Sequence, residues 1–169
     1  KARAQGYRMA DAVLDLYSSG EWQNIENPQI RLAAKTFNFE VTNKFFKIGA
    51  SIGLLNRGFI KFKYMRSEID LLAIGSAWML TVPGEINPEI INGGVETPKG
   101  RDFDIDVVET PPLRELMRGD INFVFGLGND EIGYIMPKTH WDVEAPFTYG
   151  RDKGMYGEVN SLGPETGPK

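Results

Sequence analysis

The chain has 169 residues, 41% of them hydrophobic, which suits one globular domain with a core of its own. A formal net charge of -4 and a pI near 5.1 provide no basic field, so nucleic acid is not an expected partner. The absence of cysteine excludes disulfides and thiolate metal sites, and no apolar run approaches the roughly 20 residues that span a bilayer.

No signal peptide is visible. The sequence begins at Lys1, and Ala2 to Ala12 already reads as the middle of a pattern. The expectation is therefore a fragment of a larger domain, with part of any active site supplied by sequence outside it. No repeat and no internal domain boundary stands out, so residues 1–169 are read as one domain.

Residues 2–18 carry Met9, Val13, Leu14, Leu16 and Tyr17 at near-helical spacing, and Ser18-Ser19-Gly20 ends the segment. A one-sided helix of this kind is expected to pack on a sheet or another helix. From Ile30 the pattern becomes rich in Phe, Ile and Val. Phe37, Phe39 and Val41 alternate with polar Asn38 and Glu40, which predicts a strand with one buried face. Asn43 to Leu55 fits either a strand or a helix. Phe59 to Met65 alternates with one slip at Phe62. Phe37, Phe39, Phe45 and Phe46 are read as core.

Two apolar runs, Ile69–Ile74 and Trp78–Val82, flank Gly75-Ser76, a pair suited to a tight hairpin turn. A short helix over Pro88–Ile91 follows, stopped by Asn92-Gly93-Gly94. Val95 to Pro111 is polar, acidic and proline-bearing, and reads as a surface loop. Leu113–Met117 predicts one or two helical turns and Ile121–Phe125 a buried strand. The segment 139–169, rich in Gly, Pro and Tyr, is expected to be an ordered coil lying over the surface and fraying at its end. The fold class implied is α/β, with mixed α+β open: a mixed sheet with flanking helices.

The order strand, short helix, loop, short helix, strand between Trp78 and Phe125 is that of a crossover joining two parallel strands. The loops leaving their C-terminal ends are "PGEIN" and "GLGNDEIGY", and such ends are where open sheets bind ligands. Glu85 would then face Asn129, Asp130, Glu131 or Tyr134 across a crevice. Two readings of Glu85 stand side by side: a ligand for a metal or substrate, or the first-turn acid of a helix, favoured by the helix dipole.

Other candidates carry less. His140 is the single histidine and cannot by itself build a histidine-rich zinc site. "GLGND" lacks the lysine-serine pair of a phosphate loop. Asp102, Asp104 and Asp106 alternate as calcium-loop acids do, but the glycine and distal glutamate of that motif are out of place, so they read as solvated loop charge.

"VPGE" (Val82–Glu85), "GLGNDEIGYI" (Gly126–Ile135) and the closing "YGEVNSLGPETGP" (Tyr156–Pro168) resemble the C-terminal half of the catalytic domain of neutral ceramidases, and more closely the bacterial ceramidase-like proteins. The resemblance implies a fragment of a larger zinc-hydrolase domain. In that family a zinc ion is held by two histidines, a glutamate of the Pro-Gly-Glu motif and a tyrosine after the Gly-Leu-x-Asn segment. Those last two roles fall on Glu85 and Tyr134, with Gly84 and Asn129 as site support. The implied reaction is hydrolysis of the N-acyl bond of ceramide or a related lipid amide, in a secreted or periplasmic setting. No catalytic residue is assigned within the chain. The histidine ligands and the family's active-site serine belong to the N-terminal half, which is the implied partner, and His140 matches neither histidine. Ile86-Asn87-Pro88 replaces a Thr-rich helix start, and Val95–Pro111 reads as an insertion. A hydrolase of another amide or ester, or a non-catalytic module with the same fold, stays open. Without its other half the fragment is expected to expose an apolar face and to self-associate.

Overall fold

The computed structural model of the chain describes residues 1–22, 24–55, 59–61 and 63–168. The elements in chain order are α1 (Ala2–Ser19), β1 (Ile30–Glu40), α2 (Lys44–Ser51), β2 (Phe59–Ile60), β3 (Tyr64–Ile74), β4 (Ala77–Thr81), β5 (Glu85–Ile86), α3 (Pro88–Asn92), α4 (Leu113–Leu116), β6 (Ile121–Phe125), β7 (Tyr134–Ile135) and α5 (Tyr156–Val159). Short 3-10 turns occupy Lys138–His140 and Thr148–Gly150. The slip at Phe62 and the end of the tail at Lys169 lie outside the described residues.

The fold is a mixed α/β arrangement. β1, β3, β4 and β6 lie side by side in that order, and β2 adds to the start of β3. β1 and β3 pair antiparallel along their whole length, Ile30 opposite Ile74 and Glu40 opposite Tyr64. Gly75 and Ser76 close the expected hairpin between β3 and β4, with Gly75 at φ 58, where a left-handed turn suits glycine. β4 and β6 run parallel, Ala77 beside Ile121 and Thr81 beside Phe125. The crossover is therefore real, and α3 and α4 lie within it.

The core forms on one face of this sheet. Phe39, Met65, Val82, Ile90, Ile132, Ile135 and Leu162 are buried together, and Phe37, Phe46, Leu80 and Val124 pack against them. On the opposite face the register lines up two apolar rows across four strands. They are Ile30, Ile74, Ala77 and Ile121, then Leu32, Leu72, Met79 and Phe123. Ile30, Leu32, Ile121 and Phe123 of these rows are exposed.

Three expectations need correction. The apolar stripe of α1 is not buried against any of the described residues: every residue of the helix is exposed. Of the two readings open for Asn43 to Leu55, the helix is the one that forms, over Lys44–Ser51, because the Asn43 Oδ1 accepts from the amides of Phe45 and Phe46, an N-cap that a strand would not use. That helix turns Phe45 outward at 74% exposure, so Phe45 is not core. The C-terminal segment does not lie over the surface either. Thr139, Trp141, Asp142, Glu158, Ser161, Leu162 and Thr166 are all buried.

Its fixed points are polar. Asn43 donates to the carbonyls of Val159 (2.7 Å) and Ser161 (2.8 Å). The buried Asp142 carboxylate accepts from the Thr148 hydroxyl at 2.7 Å and pairs with Arg151, while Arg101 lies between Asp142 and Glu158. Asp102, expected to be solvated, instead accepts from the amides of Val143 (2.7 Å) and Glu144 (3.2 Å); Asp104 and Asp106 are exposed. Among the described residues no helix is long and apolar enough to cross a membrane.

Candidate functional site

The parallel pair β4 and β6 does not stop at Thr81 and Phe125. Backbone hydrogen bonds lace the two departing loops together. The Val82 amide donates to Phe125 (2.8 Å), the Gly128 amide to Val82 (3.1 Å), the Leu127 amide to Gly84 (2.9 Å) and the Ile132 amide to Pro83 (2.8 Å). The loops then re-pair as β5 and β7, again parallel, with Glu85 directly beside Tyr134 and Ile86 beside Ile135. Residues paired in this way project to the same side of a sheet. The two turns, far apart in sequence, thus deliver a carboxylate and a phenol to one place.

Glycine makes the approach possible. A Cβ on the buried Gly84 would sit 2.3 Å from the Gly133 carbonyl oxygen, so any other residue would push β5 off β7. Gly133 itself has φ 94, and a Cβ there would meet the Asn160 carbonyl oxygen at 2.1 Å. The sequence "PGE" therefore ends as it does because a close backbone approach requires Gly84 before the acid Glu85.

Glu85 is exposed and Tyr134 half-buried. Their side chains lie close enough to interact. The Glu85 carboxylate beside it, together with desolvation, raises the Tyr134 phenol above its ordinary value. Glu85 is not the first-turn acid of a helix: α3 starts at Pro88, and Glu89 holds that place. Of the other loop residues, Asn129 stands at φ 70 and its side-chain amide donates to the Glu68 carboxylate of β3 at 3.5 Å. Asp130 accepts from the Ser67 hydroxyl at 2.5 Å, and Glu131 from the Gly133 amide at 2.6 Å.

His140 stays apart from this pair. Its Nε2 accepts from the Glu96 amide at 3.2 Å, and burial lowers its pKa, so the neutral imidazole is a structural acceptor.

Sequence reading left out the support from behind. The Tyr156 ring packs edge-on against Tyr134 with centroids 5.9 Å apart, and the Tyr134 amide donates to the Asn160 carbonyl at 3.0 Å. Both supports come from the "YGEVN" stretch, which the resemblance had flagged without giving it a role. Chemically, the site offers two oxygen donors of the kind that hard or borderline cations accept. Among the described residues no group of three or more His, Cys, Asp or Glu gathers that could hold a metal ion. Compared with protein-family models, with curated proteins and with solved structures, the chain has no match.

Proposed function

We propose that this chain is the C-terminal part of a zinc-dependent amide hydrolase resembling neutral ceramidases. In this reading Glu85 and Tyr134 supply two of the metal ligands. The missing N-terminal half supplies the histidines, and the complete protein works outside the cytoplasm on the N-acyl bond of a lipid amide. The observation that carries the reading is the pairing of Glu85 with Tyr134 across β5 and β7, at the C-terminal edge of a parallel strand pair. When bound, zinc would lower the pKa of a water molecule toward neutrality and make it a nucleophile for an amide carbonyl. The chain's own part is to hold the two oxygens in register, with Gly84 permitting the approach and Tyr156 fixing the ring.

Zinc titration of the chain tests this, followed by calorimetry and by the tyrosinate absorbance. Two donors should bind weakly, and Glu85→Gln and Tyr134→Phe should each remove the signal. Because the phenol is raised and must lose its proton to ligate, affinity should climb as the pH rises. Tight stoichiometric zinc on this chain alone, or binding unaffected by both substitutions, would contradict the shared site.

One observation favours a second reading, a non-catalytic module with the same architecture. Glu85 and Tyr134 already interact with each other, which a purely structural pair would also do. The complete protein separates the two. A module would show no zinc-dependent turnover of N-acyl substrates, whereas the enzyme would show turnover that Glu85→Gln abolishes.

A further inference from the structure

The loop that carries Tyr134 does not run straight from β6 to β7. It first crosses Thr81 of β4, so closely that a Cβ on Gly128 would sit 2.7 Å from the Thr81 Cβ. Its tip lands on β3, the next strand of the sheet. There the Asn129 side-chain amide donates to the Glu68 carboxylate at 3.5 Å, and the Ser67 hydroxyl donates to the Asp130 Oδ2 at 2.5 Å. Only then does the chain return through Gly133 to Tyr134 at the start of β7.

The backbone does not favour this route by itself. Leu127 stands at φ 56 and Asn129 at φ 70, left-handed values that disfavour residues with a Cβ. Strain of this kind persists only where the surroundings over-determine it. Ser67 is well placed to do so. It is 5% exposed, on the core face of β3 opposite Phe37, where a buried hydroxyl needs a partner, and Asp130 is that partner. The other Asp130 oxygen, Oδ1, accepts from the Glu131 amide at 2.8 Å. The Glu131 carboxylate accepts from the Gly133 amide at 2.6 Å, and the Gly133 carbonyl accepts from the Glu85 amide at 3.1 Å. Hydrogen bonds thus run without a gap from β3 to the backbone of Glu85, by way of the residue that precedes Tyr134.

We propose that Asp130, anchored by Ser67, is a positioning residue for the Glu85 and Tyr134 pair: it fixes the turn through Glu131 and Gly133 that sets β7 in register with β5. It acts through Gly133 and not on a substrate or a metal. The use of the pair as metal ligands rests on the zinc reading; its positioning from β3 does not. The chemistry of the contact separates its possible replacements. Asparagine retains both bonds, because its carbonyl can accept from the Glu131 amide while its amide donates to the Ser67 oxygen, a hydroxyl being acceptor as well as donor. Alanine retains neither.

The test compares the ¹⁵N-labelled chain, carrying ring-¹³C tyrosine, with Ser67→Ala, Asp130→Ala and Asp130→Asn. Hydrogen exchange reads the Glu85 amide, and the ring carbons read Tyr134, whose signal Tyr134→Phe assigns. Ser67→Ala and Asp130→Ala should each speed exchange at Glu85 by about tenfold or more and shift the Tyr134 ring signal. The Thr42 amide, bonded to the Leu162 carbonyl at 2.8 Å, should keep its protection, since the opening is local. Asp130→Asn should return both readings toward those of the unsubstituted chain. If the pair ligates zinc, Ser67→Ala should also weaken zinc binding roughly tenfold or more, as loss of support behind a ligand does. An unsubstituted chain that binds no zinc, but whose Glu85 amide is released by Ser67→Ala, upholds the positioning and removes the zinc reading. The proposal is overturned if Ser67→Ala leaves both the Glu85 exchange and the Tyr134 signal unchanged, or if Asp130→Asn behaves as Asp130→Ala does. Loss of protection at Thr42 by the same factor as at Glu85 would overturn it as well, because the contact would then hold the whole fold and not this register.

Discussion

The helix α1 and the C-terminal segment 126–168 are opposites. α1 is 18 residues of unbroken regular structure with nothing buried. The C-terminal segment has one two-residue strand, two 3-10 turns and one four-residue helix, yet it contains Ile132, Trp141, Asp142, Glu158 and Leu162, all buried. Regular backbone and tertiary anchorage are separate properties. A helix can form from periodic spacing and still have no mate, while an irregular chain can be held by side chains that satisfy its backbone one group at a time. The candidate site belongs to the anchored region, which is what a site needing two oxygens in fixed register requires.

The sharpest way to break this contrast is to remove Asp142. Burial pushes its carboxyl up, but the Thr148 hydroxyl and amide, Arg151 and Arg101 outweigh burial and hold it below the ordinary carboxylate value. A folded-state pKa below the unfolded one contributes stability that is fully present above the ordinary 3.8 and is lost as the pH falls through the lowered value. Asp142→Ala removes the carboxylate that two buried or half-buried guanidinium groups share, leaving Arg151 without its ion pair and Arg101 with Glu158 alone. It should cost about 3 kcal/mol or more in urea denaturation, in line with other broken buried pairs. A cost under about 0.5 kcal/mol would mean that the irregular segment is not anchored by this cluster.

Next in size is Gly133→Ala. The added methyl meets the Asn160 carbonyl and the residue is forced to a positive φ, a strain of about 2 kcal/mol. The effect should also reach Tyr134. Its raised pKa means that its interaction with Glu85 contributes stability below the ordinary tyrosine value of 10.0, lost as the pH rises through the raised value. In Gly133→Ala, ultraviolet titration should find the Tyr134 phenol back toward its ordinary value. A phenol that stays raised would show that the pair holds its register without the close approach at Gly133.

Asn43→Ala should cost about 1–2 kcal/mol, because it removes an N-cap and two bonds that tie α2 to the tail. If the loss is purely local, circular dichroism will report missing helix with Leu162 still protected from exchange. If the tail depends on Asn43, both will fall together.

How much of this was legible in the sequence follows from what each feature depends on. The parallel pair β4 and β6 and the meeting of their loops depend on chain order and turn residues, which are written locally, so Trp78–Val82, Ile121–Phe125 and the meeting of the Glu85 loop with residues 129–134 could be read directly, while chain order alone did not single out Tyr134 as the residue beside Glu85. The hairpin at Gly75-Ser76 and the helix beginning at Pro88 are local in the same sense. The cluster of Arg101, Asp142, Arg151 and Glu158 could not be read. Its members are scattered over coil with no period, and a charged residue in coil looks solvated until its partner is placed. The same reason hid the backbone bonds of Asp102. Phe45 was misplaced because the choice between helix and strand decides which way it faces, and that choice rested on the Asn43 cap. Periodicity in α1 disclosed an apolar stripe but carried no information about what lies opposite.

The smallest effect is expected at that stripe. Val13 is 66% exposed and Leu16 59%, with no buried neighbour to leave a cavity. The helix end is closed locally, by Gly20 at φ 70 and by the Trp22 indole donating to the Tyr17 carbonyl at 3.1 Å, and neither side chain takes part. Val13→Ala and Leu16→Ala should therefore shift stability by less than about 0.5 kcal/mol, the range of surface substitutions. The measurement is urea denaturation at two protein concentrations a hundredfold apart. A loss of about 1 kcal/mol or more that grows with concentration would mean that α1 has found an apolar mate between molecules. The two exposed rows of the sheet, Ile30 to Ile121 and Leu32 to Phe123, are the surface it would cover. The contrast between the helix and the tail would then hold for the monomer and vanish in the assembly, since amphipathic spacing and an open apolar sheet face are two halves of the same unmet burial.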